Sequence, residues 1–193
     1  MISVVIPTLD SERLLVPTLS ALVPGSAEGL VRDVLFADGG SRDETERIAD
    51  AAGCEFLKGA AEEGERLAAA AAKARGDWLL FVDPGAILED GWTREVGAFI
   101  ATAERAREGQ ECAAVFRLAI DGFGLAPRLT AAVATTRQAL LGLPRPDQGL
   151  LISKRFYHAA GGHTAGAQPC RRFLRTVGRR RIVCLRTRIL VPA

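Results

Sequence analysis

Over the first 85 residues, short β-favouring runs alternate with helical stretches, and this alternation constrains the fold more than any other feature. Residues 3–6 (Ser-Val-Val-Ile) are ended by Pro7 and read as a strand. Residues 31–37 form a second, nearly continuous apolar run, as expected of a strand covered on both faces. Residues 54–58 give a short third strand and residues 78–82 (Trp-Leu-Leu-Phe-Val) a fourth. Between them, Asp10 reads as the N-cap of a helix from residue 11 to about residue 22, closed by Pro24-Gly25. Ser41 with Glu44 forms a capping box for a helix to about residue 52. Residues 62–74 are alanine-rich and helical, stopped by Gly76. The order βαβαβαβ implies a parallel sheet with right-handed crossovers, and such sheets bind ligands outside the carboxyl ends of their strands. Three polar clusters fall at those ends: Pro7-Thr8-Leu9-Asp10, Asp38-Gly39-Gly40-Ser41 and Asp83-Pro84-Gly85. Each alone is an ordinary turn. Gathered at one edge, they mark a binding site.

The second half is less regular. It predicts a helix over 92–107, a strand over 113–120, a mostly helical 125–141 weakened at Thr135-Thr136, and a short strand over 150–153. A helical turn over 154–160, a basic helix over 170–177 and a final edge strand over 181–191 follow. Neither repeat nor linker interrupts the chain, so residues 1–193 are expected to form a single α/β domain, with a mixed, mostly parallel twisted sheet and helices on both faces.

Charge is distributed unevenly. Residues 1–147 carry 15 Lys and Arg against all 23 Asp and Glu, a balance of −8, whereas residues 148–193 carry ten basic residues and no acid. Such an end suits an anionic partner: a diphosphate, a membrane surface or nucleic acid. Only Phe156, Tyr157 and Phe173 supply aromatic rings there, too few for a single-strand stacking platform, which makes nucleic acid an unlikely partner. No apolar run approaches the ~20 residues of a membrane span, and residues 1–7 lack the basic start of a signal peptide. The expected location is cytoplasmic, peripheral to the inner membrane through the basic segment. Cys54, Cys112, Cys170 and Cys184 are widely spaced and read as free thiols.

Several segments resemble glycosyltransferase family 2. Ser3-Val4-Val5-Ile6-Pro7-Thr8-Leu9-Asp10 looks like that family's opening VVIPTxNE, and Asp38-Gly39-Gly40-Ser41-Arg42-Asp43-Glu44-Thr45 is similar to its DGGSxDGT. Residues 74–83 (ARGDWLLFVD) are similar to the ARGDxLLFLDAD leading into the DxD motif, Pro146-Asp147-Gln148-Gly149 to GDQ, and Ala160-Gly161-Gly162-His163 to GGF. The resemblance covers almost the whole chain in order and implies a glycosyltransferase-A-like, Rossmann-related fold. Residues 1–90 would be the nucleotide-binding half and 91–193 the acceptor half with the basic end. It also implies a nucleotide diphosphate sugar as partner and Mg2+ or Mn2+ as cofactor. Pro7 and Thr8 would wall the base, with Asp10 beside them; Asp38 would meet base or ribose; Gly39 would let the backbone approach. Asp83 would meet the ribose and is the one remaining candidate metal ligand. An acceptor hydroxyl, deprotonated by a carboxylate, would attack the anomeric carbon with inversion.

The departures are specific. Gly85 stands where the last DxD carboxylate belongs, Ser11 where the glutamate of PTxNE belongs, and Glu65-Arg66-Leu67-Ala68-Ala69-Ala70 replaces a basic, Asn-containing segment. Residues 162–193 hold no acid, so the usual general base is missing and Asp147 is the nearest substitute. Three outcomes stay open: a sugar-transferring enzyme, a nucleotide- or partner-binding descendant that has lost metal and base, and a plain structural module with no ligand. A nucleotidyltransferase would show a GGxxxR loop after the first strand, where Pro7-Thr8-Leu9-Asp10 stands. His158 and His163 have no partner at ligand spacing and read as surface or turn residues.

Overall fold

A computed structural model describes residues 1–105, 111–121 and 144–192; the helix expected over 125–141 lies outside the described residues. In chain order the elements are β1 (Ile2–Thr8), α1 (Glu12–Ala27), β2 (Val31–Asp38), α2 (Thr45–Ala51), β3 (Glu55–Lys58) and α3 (Glu63–Lys73). There follow β4 (Trp78–Phe81), β5 (Ile87–Leu88), α4 (Trp92–Arg105), β6 (Ala113–Asp121) and β7 (Leu150–Ser153). The last are α5 (Lys154–Ala159), α6 (Pro169–Val177) and β8 (Ile182–Pro192).

The strands form one sheet in the order β3-β2-β1-β4-β7-β6-β8-β5. β3, β2, β1 and β4 are mutually parallel, as the βαβ alternation requires. The chain runs outward from β1 to β3 and then crosses back to β4 on the other side of β1. That reversal opens a crevice between β1 and β4, the position where sheets of this kind take ligands. Beyond β4 the sheet is mixed: β7 pairs antiparallel with both β4 and β6, and β8 runs parallel to β6. β8 is not the edge strand its alternation predicts, because the two-residue β5 pairs along its outer side. Alternation reports which face is buried, not whether both sides of the backbone are paired.

Alternate residues on the strands feed two cores. Val4, Ile6, Phe36 and Leu80 pack with Leu15 and Leu22 of α1 and Trp92 and Val96 of α4. Val5, Leu35, Leu79 and Phe81 pack with Leu67 and Ala71 of α3, Tyr157 of α5 and Phe173 and Leu174 of α6. Each large side chain buried in this way contributes roughly 1.5–3 kcal/mol.

Two glycines at the expected helix ends serve packing. α1 runs on through Pro24-Gly25 to Ala27. A Cβ on Gly25 would fall 2.6 Å from Trp92 Cη2, and the indole Nε1 donates to the Ala21 carbonyl at 3.0 Å. Gly76 lies against β1, where a Cβ would fall 2.6 Å from the Ser3 nitrogen. Its own N–H donates to Ser3 Oγ at 2.7 Å, while Ser3 in turn donates to the buried Asp33.

Candidate functional site

The β1–α1 and β2–α2 loops are knitted together at the carboxyl edge of the sheet. Asp38, fully buried, accepts from the Gly40 N–H at 2.7 Å, the Ser41 N–H at 2.9 Å, Thr8 Oγ1 at 3.0 Å and the Ser41 hydroxyl. Burial alone would raise its pKa, but the donations from Ser41, Gly40 and Thr8 outweigh it and hold the carboxyl below its ordinary value. Asp10 adopts φ +47 and accepts from the Arg42 N–H at 2.8 Å, while its own N–H donates to Ser41 Oγ at 2.9 Å. The Glu12 N–H donates to Asp43 Oδ2 at 2.9 Å, and Glu44 N–H returns the bond to Glu12 Oε2 at 3.0 Å.

This clasp corrects two readings. Asp10 does not cap α1, whose N-cap position is Ser11, and Ser41 does not cap α2, which begins at Thr45. Both side chains join the two loops instead. A hydroxyl or carboxylate shortly before a helix can serve either purpose, and here the buried Asp38 has first claim on Ser41.

Between β1 and β4 lies a cleft lined by Pro7, Phe81, Asp83, His163, Cys170 and Leu174. Burial, then the charges of Glu63 and Asp147, push the Asp83 carboxyl up to about 6. No hydrogen bond satisfies that carboxylate among the described residues. Asp147, just before β7, is clamped by Arg145, whose Nη2 lies 2.6 Å and Nε 3.0 Å from its oxygens.

His163 is buried, which corrects its reading as a surface or turn residue; His158 is exposed. The rings of Phe81 and Phe173 each lie 4.8 Å from the imidazole, and Tyr157 Oη is 3.0 Å from Nδ1. Gly161 (φ +86) and Gly162 (φ +62) turn the chain back so tightly that a Cβ on Gly162 would fall 3.0 Å from the Tyr157 ring. The loop that carries His163 then docks on α3, where the Gly166 N–H donates to Glu62 Oε2 at 3.0 Å. Sequence reasoning passed over this pocket because Tyr157 and Phe173 read as sparse aromatics in a basic segment.

Arg66 was also missed. Its Nη1 donates to the Ala60 and Ala61 carbonyls at 3.2 and 2.7 Å and its Nε to the Ala37 carbonyl at 3.3 Å. The guanidinium therefore lies against Gly39, where a Cβ would fall 3.0 Å from Cζ. The signal was present: one arginine on the helix face that also carries Leu67, Ala70 and Ala71.

Residues 3–127 match a sequence-family model described as Glycosyl transferase family 2. The chain belongs to that family. No curated protein matches it. Among solved structures, Staphylococcus aureus TarS 1–349 superposes with a TM-score of 0.71 at 16% identity, over 99% of this chain and 60% of that one. TarS 1–349 in complex with UDP gives 0.69 at 16% identity, over 100% and 60%. Mycobacterium tuberculosis glucosyl-3-phosphoglycerate synthase with Mn2+ and UDP-glucose gives 0.68 at 20% identity, over 100% and 70%. These likenesses establish the glycosyltransferase-A-like fold. The chain spans about 60% of the length of the TarS structures it matches.

Within this glycosyltransferase family 2 chain, Asp83, the candidate cation ligand of the sequence, lines the cleft. Among the described residues no three His, Cys, Asp and Glu side chains gather to hold a metal ion. Gly85 adopts φ +87, its N–H donates to Thr18 Oγ1 at 2.9 Å, and a Cβ there would fall 3.1 Å from Pro192 Cγ. A carboxylate at position 85 is therefore opposed by backbone conformation and by packing, so one substitution cannot simply restore the ligand.

Proposed function

We propose that the chain binds a nucleotide diphosphate sugar in the crevice between β1 and β4 and transfers the sugar to an acceptor. The observation that carries this reading is Asp83: an unpaired, partly buried carboxylate at the sheet's point of reversal, in a chain of this family. The relatives whose structures contain UDP and UDP-glucose direct the choice of uridine nucleotides. Pro7 and the clasped Asp10 loop wall the base from one side and Gly39 from the other. Thr8 and Asp38 act by fixing the Gly39-Gly40 backbone, with Arg66 supplying positive charge beneath it. Asp83 accepts from a ligand hydroxyl. The outward arginines of α6 hold the chain to an anionic membrane.

A second reading keeps the binding and drops the transfer. It is favoured by the absence of a second carboxylate at Gly85 and by the Arg145 clamp on Asp147. Both readings share one test, melting with UDP, UDP-glucose and other nucleotide sugars, with and without Mn2+. A ligand at ~100 times its dissociation constant adds about 2.7 kcal/mol, which should raise Tm by roughly 5–10 °C. If no nucleotide moves Tm at millimolar concentration, the site is not a nucleotide site. Release of free or transferred glucose from UDP-glucose separates enzyme from binding module.

A further inference from the structure

We propose that His163 supplies a fixed, uncharged hydrogen-bond donor, Nε2–H, that pairs with the Asp83 carboxylate to hold one sugar hydroxyl of the bound nucleotide sugar. This rests on the nucleotide-sugar reading above and adds a residue to it.

The proton count around Tyr157 fixes the imidazole. Tyr157 Oη accepts from the backbone N–H of His163 at 2.9 Å. Among the described residues its own hydrogen has one neighbour able to accept it, Nδ1 of the same histidine, at 3.0 Å. Nδ1 is then an acceptor, and the single proton of a neutral imidazole resides on Nε2. Burial keeps the ring neutral, pushing its pKa down to about 4, and pushes the Tyr157 hydroxyl up to about 12, so the pair does not ionise near neutrality.

Among the described residues Nε2 has no hydrogen-bond partner, yet no side-chain nitrogen or oxygen there is both sealed and unpaired. Nε2 is therefore not sealed, and the cleft is the space that His163 lines. The side chain as a whole is 5% exposed, which makes that nitrogen its only reactive edge. Across the same cleft stands Asp83, also unpaired, and no hydrogen bond joins the two. A donor and an acceptor facing a common space with apolar walls are complementary to a hydroxyl, which accepts from one and donates to the other. A phosphate could use only the donor and would meet the negative charges of Asp83, Glu63 and Asp147. Nε2–H thus provides polarity without adding a cation.

The test uses the whole chain carrying His163→Phe, which keeps an aromatic ring and leaves Tyr157 Oη as acceptor for the backbone N–H of residue 163. A second variant, His163→Phe with Tyr157→Phe, loses that acceptor as well. Titration calorimetry with UDP-glucose, UDP and 2′,3′-dideoxy-UDP is expected to show affinity for UDP-glucose falling about fivefold to tenfold, the loss of one neutral hydrogen bond. A loss confined to UDP-glucose assigns the hydroxyl to the transferred sugar, and a loss shared with UDP but not the dideoxy compound assigns it to the ribose. Unchanged affinity in a folded variant, or an equal loss with the dideoxy compound, overturns the proposal while leaving the nucleotide site standing. Failure of the unaltered protein to bind any of the three overturns both. Nitrogen-15 spectra of the imidazole give a check without ligand: the neutral Nε2–H tautomer is expected from pH 5 to 8, and the Nδ1–H tautomer overturns the proposal.

Discussion

Burial acts in opposite directions on the two residues that face the cleft. Asp83 rises from an ordinary 3.8 to about 6, so the folded state holds a proton that the unfolded state has released between those values. Its contribution to stability is present below pH 4, declines as pH rises and is a penalty of roughly 2–3 kcal/mol above pH 6. His163 falls from 6.5 to about 4, so the unfolded state takes up a proton first and stability declines as pH drops from 6.5 towards 4. Between pH 4 and 6 the two effects offset one another. Asp83→Asn removes one of them. It should raise Tm at pH 7.5 by roughly 4–8 °C, lower UDP-glucose affinity, and melt progressively earlier than its own pH 7.5 value as acid is added. Equal melting of variant and wild type at pH 7.5 would mean that the Asp83 carboxylate is solvated and its pKa ordinary.

At the level of elements, the clasp between the first two βα loops depends on one carboxylate. Asp38→Ala leaves the Gly40 and Ser41 amides and the Thr8 and Ser41 hydroxyls without their acceptor in a buried setting. Loss of such a site costs on the order of 2–4 kcal/mol, and urea unfolding should show it as a lower midpoint with an unchanged slope. A midpoint within error of wild type would make the clasp incidental. The same loops show what the sequence could reveal. Strand, turn and helix alternate with their proper periods from residue 1 to 85, so β1 to β4, α1 to α3 and their parallel pairing were readable. Short polar side chains were ambiguous, because Ser41 and Asp10 suit a helix cap and a loop-to-loop bond equally, and only the distance between loops decides. Gly25 reads as a stop that α1 runs past, because its need is the close approach of Trp92; Gly76 follows the end of α3 and also lets β1 come close. The cleft was half legible: Pro7 and Asp83 follow from topology, but Arg66 and His163 depend on which way α3 and the Gly161-Gly162 turn face. Periodicity carries no direction.

Across the whole molecule, the basic end of the chain divides between internal pairs and exposed arginines. Residues 148–193 hold ten Lys and Arg and no acid. Part of that charge is used internally: Lys154 Nζ caps α3 at the Ala74 carbonyl, 2.6 Å away, Arg188 pairs with Glu89 at 2.7 Å and Arg181 with Glu111 at 3.3 Å. Arg171 and Arg172 on α6 donate only to neutral oxygens, and Arg175 and Arg180 make no bond among the described residues. All four are exposed, while Phe173, Leu174 and Val177 of the same helix are buried, so α6 has no apolar face left to insert into lipid. Contact with an anionic membrane would therefore be electrostatic and peripheral, and no described helix is long and apolar enough to cross one. Since Cys170 and Leu174 line the cleft from the inner side of α6, such contact would hold the cleft close to the lipid surface. The expected outcome is co-sedimentation with phosphatidylglycerol vesicles at low salt, absent with phosphatidylcholine and lost near 0.5 M salt, where screening is within about 5 Å. At about 1 kcal/mol per basic residue near the surface, R171Q/R175Q/R180Q should lower the partition coefficient by roughly two orders of magnitude while leaving Tm and nucleotide affinity unchanged. Equal recovery with neutral and anionic vesicles would reduce the cluster to a solvated face that offsets the acidic body of the chain.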